Sequence, residues 1–126
     1  MIDEAIYTTL KATGIDAALI HEAQFTQPPF AVYQIKTSPV RTKEGKQGNK
    51  TALKVINTNE SIADVRNKAT EIIAALEAME GQTINDTIIT SVINHDREPD
   101  FEPGENDDDQ GFYLEEMDFT ISHKND

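Results

Sequence analysis

The run SIADVRNKATEIIAALEAMEG, residues 61–81, decides the architecture. Its opening, Ser61-Ile62-Ala63-Asp64, has the form of a capping box, with a hydroxyl placed on one free amide and a carboxylate reaching back toward another. Behind it Ile62, Val65, Ala69, Ile72, Leu76 and Met79 recur three and four apart, which makes one apolar stripe. Arg66, Lys68, Glu71 and Glu77 stand on the opposite face, and Gly81 sits where a helix should close. The spacing predicts an amphipathic helix over 62–79 with its stripe laid on a sheet.

Working outward, strands are expected on both sides of that helix. Upstream, Pro28-Pro29 blocks a helix and starts an extended segment. The β-formers Phe30, Val32, Tyr33 and Ile35 then predict a strand over 30–36, and Leu53, Val55 and Ile56 predict another over 50–58. Downstream, Ile88, Ile89, Val92 and Ile93 predict a strand over 87–95. In 112–122 Met117, Phe119 and Ile121 alternate with Glu116, Asp118 and Thr120. Ile2, Ile6 and Leu10 place a first helix over 2–13, with Asp3 and Glu4 in its first turn and Gly14 as its cap. Residues 15–27 carry apolar side chains without a period and stay open. The predicted fold is α+β: a mostly antiparallel four-stranded sheet, with one long amphipathic helix and a shorter N-terminal helix on one face, in the order α-β-β-α-β-β. Residues 1–126 make one domain, with flexible loops expected at 37–49 and 96–110. In the third strand neither parity is purely polar. Both sheet faces are therefore expected to be covered, the second either by 15–27 folding back or by another subunit.

Composition narrows the chemistry. The 126 residues include no Cys, which removes disulfides, thiolate nucleophiles and Cys-ligated zinc. No apolar run approaches the ~20 residues of a bilayer span, and the acidic start lacks a secretion-signal layout. With 11 basic and 23 acidic side chains the net charge is −12, unfavourable for a general affinity for nucleic acid or anionic membrane. His21, His95 and His123 share no ligand spacing. No G-x-S-x-G elbow is present, and Gly45-Lys46-Gln47-Gly48 lacks the rest of a phosphate loop. In Glu105-Asn106-Asp107-Asp108-Asp109 a calcium loop with Gly111 sixth would put Met117 twelfth, where a bidentate acid is needed. Hence no cofactor, no metal and no enzymatic activity are expected.

The charge is strongly polarised. Lys36, Arg41, Lys43, Lys46, Lys50 and Lys54 are six of the 11 cations, with Glu44 the only acid among them; the rest of the chain holds 22 acids against five bases. An acidic stretch answers this basic loop, with Asp100, Glu102, Asp107, Asp108 and Asp109 as its candidate contact residues. Two solvated loops would account for the pattern. Head-to-tail assembly, one copy's basic loop (Arg41, Lys43, Lys46, Lys50) meeting a neighbour's acidic surface, accounts for it too. Without interleaved aromatics, a dedicated nucleic-acid module fits least well.

The layout resembles the small tail-completion or tail-terminator proteins of long-tailed bacteriophages and prophages. The resemblance rests on the helix from Ile2 to Thr13, on Pro28-Pro29-Phe30-Ala31-Val32-Tyr33, on Leu53 to Asn57, on the capped helix after Ser61, and on Met117-Asp118-Phe119-Thr120-Ile121. It implies a structural virion protein that forms a homo-oligomeric ring, commonly a hexamer, at the head-proximal end of the tail tube. Such a ring halts tail growth and joins tail to head, so the implied partners are other copies, a tail tube protein and a head-completion protein. The implied ring has a lumen through which DNA can pass, without a dedicated nucleic-acid site. The implied locations are the virion tail and, during assembly, the bacterial host cytoplasm. The resemblance would turn Arg41, Lys43 and Lys46 toward the lumen or a partner. The rival reading is a small cytosolic binding or regulatory module whose basic loop recognises an acidic protein or ligand.

Overall fold

The structure is a computed structural model that describes residues 2–25, 28–42, 45–102 and 111–125. Its elements run α1 (Ile2–Ala12), β1 (Ala17–Leu19), β2 (Phe30–Thr42), β3 (Gly45–Asn59), α2 (Ile62–Glu77), β4 (Thr83–Ile84), β5 (Thr87–Glu102) and β6 (Phe112–Asn125). The predicted four-stranded, mostly antiparallel sheet is overturned. Six strands form one sheet in the order β1-β2-β3-β6-β5-β4, curled into a half-barrel; β1 is parallel to β2 and the other pairs are antiparallel. The two added strands are too short to show a period. β1 has three residues, held at the edge of β2 by flanking bonds from Ala31 N–H to Asp16 O and from Ile20 N–H to Tyr33 O. β4 has two residues and turns directly into β5 through Asn85 and Asp86, whose φ values of 49° and 64° are those of a type I′ hairpin.

Both predicted loops are partly strand. Residues 37–42 and 45–49 extend β2 and β3 into a long hairpin, and 96–102 belong to β5; residues 43, 44 and 103–110 lie outside the described residues. Thr and Ser supply little apolar signal, yet hydroxyls join this end of the sheet. Thr37 and Thr51 are 2.8 Å apart across β2 and β3, and Thr51 lies 2.7 Å from His123 Nε2 on β6. At Gly48 φ is +136°, and a Cβ there would stand 3.0 Å from the His123 carbonyl, so close strand approach and backbone both call for glycine.

Helix α2 forms as its sequence dictates. Ser61 sits in extended backbone and its hydroxyl accepts from Asp64 N–H at 3.1 Å. Val65, Ala69, Ile72, Leu76 and Met79 are buried, whereas Ile62 is 56% exposed and leaves the stripe. Ala69, Ile72, Leu76 and Met79 pack with Ile2, Ile6 and Leu10 of α1 against Leu53, Val55, Ile89, Val92, Met117, Phe119 and Ile121, so both helices lie on one sheet face.

The mixed parity of β5 has a different cause from the expected double cover. The register slips by one residue at Thr90 and again at His95, each a β-bulge. The first slip puts Ile89 and Val92 on the same, helix-covered side, while Ile93 is 52% exposed on the other. Residues 15–25 pack at the far edge and do not cover β5.

Candidate interaction surface

The sheet face turned away from the helices is electrically divided. Registers across β5, β6, β3 and β2 place Asp96–Asp118–Lys54–Gln34 on one rung and Ile93–Thr120–Ala52–Lys36 on the next. Beyond the first lies Glu98–Glu116–Ile56–Val32. Acids therefore occupy β5 and β6, and lysines occupy β3 and β2. Asp96 and Asp118, and Glu98 and Glu116, are like charges directly opposed on neighbouring strands, an arrangement that costs stability. Lys54 relieves part of it. Its Nζ donates to Glu116 Oε1 at 2.8 Å, and that bond, with the charges of Glu116 and Asp118, raises the lysine above its ordinary pKa. A groove of about 550 Å³ runs between the two halves, with Lys36, Lys54, His95 and Asp118 along it.

The candidate residues fall at opposite ends of the sheet. Arg41 is exposed beside a bulge near the tip of the β2–β3 hairpin, where its backbone pairs with Lys46. Lys50 is exposed on the open face, opposite Ser38 and Ser122. Asp100 is exposed opposite Leu114, and Glu102 ends β5 opposite Phe112. Lys43, Asp107, Asp108 and Asp109 lie outside the described residues. From Ser122 to Leu114 is eight strand positions, so Lys50 and Asp100 stand about 27 Å apart along the sheet. The two charged hairpins are thus brought not to each other but to opposite poles.

Two polar clusters hold this geometry, and neither was singled out from the sequence. Glu115 on β6 is fully buried. Arg66 Nη1 of α2 lies 3.1 Å from one carboxylate oxygen, and Arg97 Nε of β5 donates to the other. Arg97 also donates to Thr70 Oγ1 and the Arg66 carbonyl, each at 3.2 Å, so one carboxylate ties α2 to two strands. Asn57, buried at the end of β3, donates to the Val65 carbonyl at 2.8 Å and fixes the first turn of α2. The signal for Glu115 was available: it shares the parity of Met117 and Phe119, which puts it inside. Among the described residues no group of three or more His, Asp or Glu is arranged to hold a metal ion, and no helix is long and apolar enough to cross a membrane.

No protein-family model matches the sequence, and no curated protein matches it. Among solved structures the chain is similar to a chain of the virion of a native gene transfer agent (GTA) particle. The identity is 10% and the TM-score 0.68, with 94% of this chain and 90% of that chain covered. At that identity the likeness is one of fold, and it spans the whole arrangement of two helices on a curled sheet.

Proposed function

We propose that the chain is a structural protein of a phage-type virion and, within it, a tail-completion subunit. Copies join head to tail in a ring, with six as the expected number, that closes the head-proximal end of the tail tube and joins tail to head. The observation that carries this reading is the fold shared, over nearly the full length of both chains, with a component of a virion particle. Charge placement supports it. A heterologous contact needs unlike surfaces on one subunit, and here a basic hairpin and an acidic one leave the sheet at opposite poles. In this reading the protein works by burying surface against other copies, a tail tube protein and a head-completion protein, and it catalyses no reaction. A stable contact of this kind buries about 1,000 Å² or more in total.

Sedimentation of the wild type and of R41E/K43E/K46E across protein concentration and salt tests the reading. The wild type should self-associate, and the triple variant should lose assembly most clearly at low salt, because charges are screened over about 10 Å at 0.1 M. A wild type that stays monomeric at every concentration, with no rings on isolated tail ends, would sink the proposal. So would a triple variant that assembles like the wild type at every ionic strength.

A further inference from the structure

A second concavity lies on the helix side of the sheet, remote from both charged hairpins. The first two turns of α1, the end of β1 and the segment after it, the start of β2 and the β4–β5 turn line a groove of about 540 Å³. Asp3, Glu4 and Glu22 line it with Tyr7, Tyr33 and Leu19, and no lysine or arginine is among its lining residues. The amides of the α1 N-terminus offset about half an elementary charge, far less than three carboxylates carry. Nearby, His21 Nε2 lies 3.9 Å from Glu22 Oε1.

Carboxylates alone would be a solvated rim. The second observation is Tyr33. Only 4% of this residue is exposed, yet it lines the groove, and its hydroxyl makes no hydrogen bond among the described residues. Its oxygen is not sealed inside the protein but opens on the groove, a free donor and acceptor there. Burial first, and then the charges of Asp3, Tyr7 and Glu22, hold its pKa above the ordinary tyrosine value. Tyr7, 45% exposed, offers a second ring on the same groove.

We propose that this groove binds an organic cation, a primary ammonium or guanidinium group on an alkyl stem. The carboxylates would neutralise the charge and accept its N–H donors. The stem would lie on Leu19 and the tyrosine rings, where a cation also gains from the π faces. A free polyamine and a lysine or arginine side chain of another protein share this chemistry.

The chain contains no Trp, so tyrosine fluorescence reads the groove directly, Tyr7 and Tyr33 being two of its three tyrosines. Titrations at constant ionic strength with agmatine, with spermidine and with a synthetic peptide of residues 36–50 should give saturable changes that equimolar sodium does not. D3N/E22Q should weaken binding about tenfold, the loss of two charge contacts of moderate strength. D96N/D118N, which removes equal charge from the other sheet face, should leave it unchanged. Binding led by agmatine or spermidine identifies a free cation, and binding led by the peptide identifies a protein side chain; either supports the site. The inference is overturned if no probe saturates, or if the two double variants weaken binding equally, since that would be diffuse attraction to an acidic body. Retained cooperative urea unfolding in each variant keeps misfolding apart from loss of binding.

Discussion

Single residues decide how the helices stay on this sheet, and Glu115 does so with the least redundancy. A carboxylate with no exposed surface is tolerated only because Arg66 and Arg97 both reach it. Replacing it with alanine leaves two guanidinium groups without the carboxylate that they share. Loss of one member of a buried pair costs about 3–5 kcal/mol, and the half-exposed arginines put the expected value near the lower end. Glu115→Gln keeps the shape and an acceptor and should cost about half as much, near 1–2 kcal/mol. Urea midpoints at an unchanged m-value measure both; equal midpoints for Glu115→Ala and the wild type would show that the clamp adds nothing. Two other groups set an alkaline limit. Tyr33 is raised by its burial and then by Asp3, Tyr7 and Glu22, and Lys54 by its bond to Glu116 and then by nearby charge. A group whose folded pKa exceeds its unfolded one contributes stability that is complete below the unfolded value and is lost as pH rises through the folded value. The contribution of these two groups should therefore hold from neutrality to about pH 10 and fall above it. Urea midpoints at pH 9 and pH 11 should converge in Tyr33→Phe/Lys54→Gln relative to the wild type.

Among the elements, those with a strong period were legible and those with a broken one were not. α2 was readable from its cap and stripe, and Ser61→Ala should cost about 1 kcal/mol by freeing the Asp64 amide, seen as a fall of a few degrees in Tm; Ser61→Asp should restore most of it. α1 was legible for the same reason. β5 was found but its faces were misassigned, because bulges at Thr90 and His95 reverse the parity twice and no residue type announces a bulge. The polar halves of β2 and β3 read as loop in the sequence because a strand rich in Thr, Ser and Lys, with Pro39 in it, has neither apolar content nor alternation to show. Its pairing with a third strand supplies what its side chains do not. Pro39 is accommodated because β1 covers β2 only over Ala31–Tyr33, which leaves the rest of that edge free of a ladder needing its missing N–H. The free edge of β5 carries the usual deterrents to stray pairing, with two bulges, Asp96, Glu98, Asp100 and Pro99, and Glu80 accepts the Val92 edge amide at 3.1 Å. Of the candidate site, the split of charge into two stretches was visible in the sequence. The acidic β5–β6 face and the acidic groove beside α1 were not, since each depends on which elements become neighbours.

At the scale of the whole molecule, the distance between unlike poles separates two kinds of assembly. If the basic and acidic hairpins met in a two-fold pair, both contacts would lie in one interface and growth would stop at a dimer; if they met head to tail, each copy would keep a free pole and only ring closure would stop growth. Reversed charges distinguish these. R41E/K43E/K46E makes both poles acidic, and D100K/E102K/D107K/D108K/D109K makes both basic, so each variant alone should remain dissociated at low salt. Mixed one to one, every contact is again between unlike charges, but only if the two variants alternate around the ring. An even-membered ring such as a hexamer accepts alternation, and the mixture should sediment as the wild-type assembly; a two-fold pair would yield heterodimers and nothing larger. If each variant assembles unaided, the hairpins are not the contact. Added salt should weaken the wild type and the mixture in parallel, because both depend on the same number of unlike pairs in water-exposed surroundings.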